Sequence, residues 1–344
     1  MKPIRVAIIG CGYWGPNLVR NFSAIEEFEV AGVADLDPQR LDYISKHYQV
    51  PVLTSNVDDL LGDPTVEAVA IATPISTHAP LAEAALDAGK HVLIEKPMAH
   101  SVAACDMLIE KAAARGLTLM VDHTFLYTGA VRKIRQLIDD GKIGDIYYFD
   151  SVRVNLGLFQ HDYNVVWDLA PHDLSIMQYL IDARPVQVSA VGASPIALDE
   201  KRLESMAYIT VRFDSGILGH IHVNWLAPVK VRMTLLGGSK TMVVYDDTEP
   251  DTKIKLYDKG VDVPAHDARR EDIYKTLVQY RTGDMLAPNL DGPEALRVEC
   301  VHFADCIRAG THPITSGEAG REVVRLIAAA DESMRAGGRP VDLV

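Results

Sequence analysis

Gly10-Cys11-Gly12-Tyr13-Trp14-Gly15 is a G-x-G-x-x-G run that leaves an apolar strand and opens a helix at Pro16. In that context Gly10 permits a tight turn, Gly12 removes a side chain where a pyrophosphate would approach, and Gly15 lets helix and strand pack closely. Free amides and the helix dipole would hold the anion. Glycine turns also arise for purely steric reasons, but Asp35 at the end of the second strand can accept hydrogen bonds from both ribose hydroxyls. Its carboxylate would repel a 2′-phosphate, so NAD is expected rather than NADP, with Arg40 nearby as the residue that works against this preference. Lys96, in Glu95-Lys96-Pro97, could stabilise an alkoxide as hydride leaves, or be a solvated loop lysine. Asp168 and His172 share one face of a helix at i, i+4. A helix N-terminus disfavours imidazolium and would leave His172 able to take a proton. The plainer readings are an N-cap for Asp168 and a satisfied polar residue for His172.

His220 and His222 fall on one face of a strand, but no third ligand follows by spacing, so no metal site is expected. Arg153, Asn155, His161 and Tyr163 precede the Asp168 helix and could hydrogen-bond a polyhydroxylated substrate, or fill ordinary surface roles.

These residues need elements to position them. From residue 4 to about 121 short apolar strands alternate with helices, as in a parallel sheet built from βαβ units. Strands are expected at 4–9, 30–34, 68–72, 91–94 and 117–121. Asp37 before Pro38 and Ser101 fit N-caps, and Gly116 fits a C-terminal stop. Thr73-Pro74 and Glu95-Lys96-Pro97 then lie at carboxyl ends of strands, where open α/β sheets place ligands. After a helix at 130–140 long strands follow one another at 147–154, 186–193, 208–213, 217–225, 230–236 and 241–245, with turns at Asp214-Ser215-Gly216 and Gly237-Gly238-Ser239. The fold class is therefore α/β plus α+β: a doubly wound parallel Rossmann sheet, then an open, mostly antiparallel sheet. Helices are expected at 168–181, 294–308 and 317–336; the stretches 246–251 and 260–289 read as exposed loop. The expected division is a dinucleotide domain at 1–122, a substrate and oligomerisation domain at 123–317, and a helix at 318–344 returning to the first. Ile221, Val223 and Trp225 form an apolar strand face that no expected helix covers, which suggests association of copies.

The 344 residues, 48% hydrophobic and 24% charged, suffice for two cores. A net charge of −13 without clustered Lys and Arg argues against a nucleic-acid surface. The four cysteines form no C-x-x-C pair, which removes a disulfide framework or thiolate metal site. No apolar run spans a bilayer and no leader pattern precedes the first strand, so a cytoplasmic location and no membrane partner are expected.

Taken together, these motifs resemble the Gfo/Idh/MocA family of oxidoreductases over nearly the whole chain. The resemblance rests on the Gly10 to Gly15 loop, Ala72-Thr73-Pro74 with His78, and Ala88-Gly89-Lys90-His91-Val92 leading to Glu95-Lys96-Pro97. It also rests on Asp168 with His172, and the closing helices around Glu299 and Ser316-Gly317. It implies that Lys96, Asp168 and His172 line an active site. With the residue readings above, Gly10, Gly12, Tyr13, Trp14, Gly15, Asp35, Arg40, Thr73, Pro74, His78, Glu95 and Lys96 are expected to meet the cofactor, and Lys96, Arg153, Asn155, Tyr163 and His172 the substrate. The resemblance also implies a homodimer or homotetramer. Ala170, Ser175 and Leu126-Tyr127 depart from the inositol-dehydrogenase pattern. The runs 12–17 and 167–172 are more similar to members acting on C3 of nucleotide-linked amino sugars such as UDP-N-acetylglucosamine. Lys96 and His172 could exchange acid–base roles. A redox-neutral NAD-dependent glycosidase and a non-catalytic NAD- and sugar-sensing regulator are the rival readings on this fold.

Overall fold

Residues 2–157, 162–196, 203–258, 260–262, 279–281, 283–290 and 292–343 are described by the structure, a computed structural model. The chain divides into two compact units, one of residues 1–128 and 292–328, the other of 129–291 and 329–344.

In the first unit, runs of Ile, Val and Ala without a polar face form strands covered on both sides, as buried parallel sheets require. In chain order they are β1 (Ile4–Ile9), α1 (Gly15–Ser23), β2 (Phe28–Ala34), α2 (Pro38–His47), β3 (Val52–Thr54), α3 (Asp58–Leu61), β4 (Ala68–Ile71), α4 (Ile75–Asp87), β5 (His91–Glu95), α5 (Val102–Arg115) and β6 (Leu119–Asp122). The six strands pair in parallel in the order β3-β2-β1-β4-β5-β6. The order reverses between β1 and β4, and the glycine loop leaves β1 at that reversal. Local signals set the helix ends as expected. Asp37 accepts from Gln39 N at 2.9 Å, Ser101 from Ala104 N at 3.2 Å, and Gly116 ends α5 at φ +64°.

The second unit contains α6 (Gly129–Asp139), β7 (Ile146–Leu156), α7 (Val165–Leu180), β8 (Pro185–Ala193), β9 (Met206–Phe213), β10 (Leu218–Asn224), β11 (Leu226–Gly238), β12 (Met242–Asp246), β13 (Ile254–Tyr257), β14 (Gly260–Asp262), β15 (Gln279–Arg281) and β16 (Met285–Leu286). The chain closes through α8 (Ala295–Ala309), α9 (Gly317–Arg335) and β17 (Val341–Asp342). Nine strands form one sheet in the order β16-β13-β12-β11-β7-β10-β9-β8-β17, antiparallel except where β10 runs parallel to β7.

The structure differs from expectation in several places. Ile221, Val223 and Trp225 are 0%, 0% and 1% exposed, because α7 lies across β10 so closely that a Cβ on Gly219 would come within 2.4 Å of Met177 Sδ. That face is core, and it gives no argument for association. The helix of Asp168 starts a turn early: Asn164 is its N-cap, accepting from Val166 N at 3.1 Å and Trp167 N at 3.4 Å, so Asp168 stands within the first turn. Residues 292–328, with α8, group with the first unit rather than the second, whereas 329–344, expected to return to the first, group with the second. Finally, Asp247 in the acidic stretch is drawn inward by Arg232 at 3.1 Å and Lys253 at 3.4 Å. Of the aperiodic span, 263–278 lies outside the described residues, and β14 and β15 pair on either side of it.

Candidate functional site

In the first unit, chemistry gathers at the carboxyl ends of β1, β2, β4, β5 and β6. Gly10 turns at φ +95°, and a Cβ there would meet Ala72 O at 2.7 Å; a Cβ on Gly15 would meet Gly10 O at 2.1 Å. Both positions are closed to any side chain. Gly12 is different, since its Cβ would face only the Arg40 guanidinium, at 3.6 Å. Beside it α1 begins with Trp14 as N-cap and no side-chain cap bond, which suits a pyrophosphate. Asp35 Oδ2 accepts from Cys11 N at 2.6 Å and its Oδ1 from Asp37 N at 2.8 Å, so the carboxylate braces the glycine loop. Arg40 stands 3.5 Å from both Asp35 and Asp37. Burial, with Asp35 adding to it, pushes the Cys11 thiol up to about 12, so Cys11 is an inert packing group. Tyr13 is exposed on the rim of this loop. These features fit a dinucleotide.

Thr73 and the exposed Pro74 lead into α4. His78 is buried, one ring nitrogen 2.9 Å from Pro97 O and the other 2.8 Å from Thr73 O. It ties the end of β4 to the end of β5, and burial lowers its pKa. Lys96 and Glu95 are partly exposed, and the Lys96 amide donates to Glu95 Oε2 at 3.0 Å. Burial, and then Asp122, hold the Glu95 carboxyl well above the usual range.

Sequence reasoning missed the neighbours of that pair. Asp122 accepts from the Trp14 indole at 2.9 Å and from the Thr124 hydroxyl. Glu299 of α8 is fully buried with its carboxyl raised by burial and by Asp122. His123 is buried and lowered to about 4 by burial. The available signal was position, because Asp122-His123 ends β6 at the same edge as Glu95-Lys96 ends β5.

In the second unit, Asp168 Oδ2 accepts from the Trp225 indole at 2.9 Å, and His172 lies one turn further along α7. Both are partly exposed. Burial, and then Asp168, push the Tyr163 hydroxyl up to about 12. Arg153 is taken up elsewhere: buried on β7, it donates to Asp173 Oδ2 at 2.5 Å, and Ser151 donates to the same carboxylate at 2.6 Å. Arg153 thus serves as a buried partner of α7. Asn155 follows at the end of β7, partly exposed, and His161 lies outside the described residues. His220 and His222 lie on the outer face of the sheet, His222 stacked on Tyr208 with centroids 4.3 Å apart.

The described residues contain no helix long and apolar enough to cross a membrane. Residues 4–123 match the model of the GFO/IDH/MocA oxidoreductase family with NAD-binding Rossmann fold, and residues 131–243 match the GFO/IDH/MocA C-terminal domain. The chain is 29% identical to the UDP-N-acetylglucosamine 3-dehydrogenase of Acidithiobacillus ferrooxidans, across 94% of this chain and 95% of that protein. It is 24% identical to the myo-inositol 2-dehydrogenase of Thermotoga maritima, across 96% of each. A solved structure of the A. ferrooxidans UDP-N-acetylglucosamine 3-dehydrogenase GnnA superposes with TM-score 0.80 and 26% identity, over 98% of this chain and 99% of that one.

Proposed function

Because the chain belongs to the Gfo/Idh/MocA oxidoreductase family and carries its NAD-binding unit, we propose that it oxidises a ring hydroxyl of a sugar, at C3 of a nucleotide-linked amino sugar of the UDP-N-acetylglucosamine kind. The observation that carries this reading is the first turn of α7. There Asp168 is fixed by the Trp225 indole and His172 follows at i+4, while Lys96 directly follows β5 of the NAD-binding unit.

Gly10, Gly12, Tyr13, Trp14 and Gly15 would hold the cofactor's pyrophosphate side, and Asp35 its ribose hydroxyls in preference to a 2′-phosphate. Thr73, Pro74, His78 and Glu95 shape the remaining wall. NAD held there would supply the acceptor for the hydride leaving the substrate carbon. His172 takes the hydroxyl proton, the Lys96 ammonium stabilises the developing alkoxide, and Asp168 orients His172. Tyr163 and Asn155 hydrogen-bond the sugar. The reading includes a cytoplasmic homo-oligomer.

The test is nicotinamide absorbance of the purified protein with NAD and a panel of UDP-sugars, free sugars and inositols. A parallel set contains 2-oxoglutarate to reoxidise retained cofactor. Reduction with one UDP-amino sugar supports the reading. Silence across the panel with NAD bound overturns it and favours a redox-neutral glycosidase or a sensor.

A further inference from the structure

Three carboxyl groups meet inside the first unit. Asp122 stands opposite Glu95 across β5 and β6, and it raises the carboxyls of both Glu95 and Glu299. Glu299 is 0% exposed, and among the described residues neither of its oxygens has a settled hydrogen-bond partner; the Asp122 carboxyl and the Thr124 hydroxyl, itself bonded to Asp122, act on it. Ionised carboxylates only accept, so two carboxyls can bond only if one keeps its proton. An ionised pair here would also bury like charges side by side.

We propose that Asp122 and Glu299 are positioning residues, a chain of carboxyl-to-carboxyl hydrogen bonds that holds Glu95 and with it the Lys96 segment and Trp14 of the glycine loop. The inference rests on the reading of Lys96 as the alkoxide-stabilising group. One end of the chain and its middle are each tied to something that acts. Glu95 accepts from the Lys96 amide at 3.0 Å, and Asp122 accepts from the Trp14 indole at 2.9 Å.

The surrounding groups favour retained protons. Lys96 is the cation facing Glu95 and opposes protonation there. His123 beside Asp122 is lowered to about 4 and stays neutral at ordinary pH. Tyr127 and Cys300, which flank Glu299, are held neutral by burial. Glu95 and Glu299 are both raised well above ordinary carboxyls, as a chain sharing protons requires. A neutral chain also keeps negative charge away from a lysine whose task is to face a developing alkoxide.

The test uses the full chain and the variants Glu299→Leu, Glu299→Gln and Asp122→Asn, with unfolding followed by circular dichroism. Infrared spectroscopy at neutral pH should show the carbonyl stretch of a protonated carboxylic acid, weakened in Glu299→Gln. Its absence from the native protein overturns the proposal. Competitive acetylation of Lys96, read by mass spectrometry without substrate, should change roughly threefold or more in folded Glu299→Leu, and kcat should fall roughly tenfold with KM for NAD little moved. Glu299→Gln, whose amide can donate to Asp122, should recover most of both losses. If Glu299→Leu does not fold, Asp122→Asn carries the same comparison. Unchanged lysine labelling in a folded variant overturns the positioning role. A native protein that turns over no sugar, yet shows the infrared band and the labelling change, counts against the proposed function alone.

Discussion

The indole Nε1 of Trp225, which follows β10, donates to Asp168 Oδ2 in the first turn of α7 at 2.9 Å. The indole N–H thus fixes one oxygen of the carboxylate that is proposed to orient His172. Trp225→Phe keeps the buried ring volume and removes this bond. Turnover should fall roughly tenfold with NAD affinity unchanged, as expected for one hydrogen bond to a charged group. Equal losses in turnover and NAD binding would mean that Trp225 acts only through folding.

Lys96→Ala and His172→Ala should each lower kcat by about 10²–10⁴-fold while NAD still binds. Both residues are partly exposed, so neither change opens a core cavity. Near-normal turnover in both variants, measured with a sugar active in the panel, would remove the mechanism.

The two inner glycines of the loop should separate. Gly15→Ala forces a Cβ to within 2.1 Å of Gly10 O and should destabilise the fold by about 1–3 kcal/mol. Gly12→Ala meets only Arg40 at 3.6 Å, so it should melt like the native protein and bind NAD roughly tenfold more weakly. Thermal unfolding and NADH titration read the two effects independently.

Asp35 stands 3.5 Å from Arg40. In Asp35→Ser the guanidinium loses that partner and the repulsion of a 2′-phosphate disappears. NAD affinity should fall about tenfold while NADP affinity rises, shown by parallel titrations. A variant that still excludes NADP would show that selection against the phosphate resides elsewhere.

His123 sets a pH dependence. Its pKa of about 4, against an ordinary 6.5, means the unfolded chain takes up the proton first. Its stabilising contribution is present above 6.5 and is lost as pH falls toward 4, about 3 kcal/mol in all. Glu95 and Glu299 act in the opposite sense, since their raised values favour the folded state at low pH and lose that advantage as pH rises. The comparison must therefore be native protein against His123→Gln across the same pH series. The native protein should lose more stability than the variant between neutral pH and 4.

By itself the sequence determined whatever depends on neighbours along the chain. The glycine loop at the end of β1, Asp35 at the end of β2, the caps at Asp37 and Ser101 and the stop at Gly116 are all local. Backbone freedom and side chains reaching two or three residues fix them. Apolar periodicity placed Lys96 at a strand end and Asp168 and His172 on one helix face, but only the family resemblance singled them out for chemistry. Tertiary structure decided the rest. Asn164 and Asp168 are both competent caps, and Asn164 takes that place while its amide donates to Glu204 at 3.1 Å and Asp331 at 2.9 Å, partners far along the chain. Ile221, Val223 and Trp225 show the same apolar alternation whether or not a helix crosses them, and only packing reveals α7 there. Arg153 has the chemistry of a sugar ligand, yet it is buried against Asp173. Glu95, Asp122 and Glu299 come from two strand ends and a distant helix. Shared protons depend on closeness and burial in three dimensions, which no spacing in one dimension encodes.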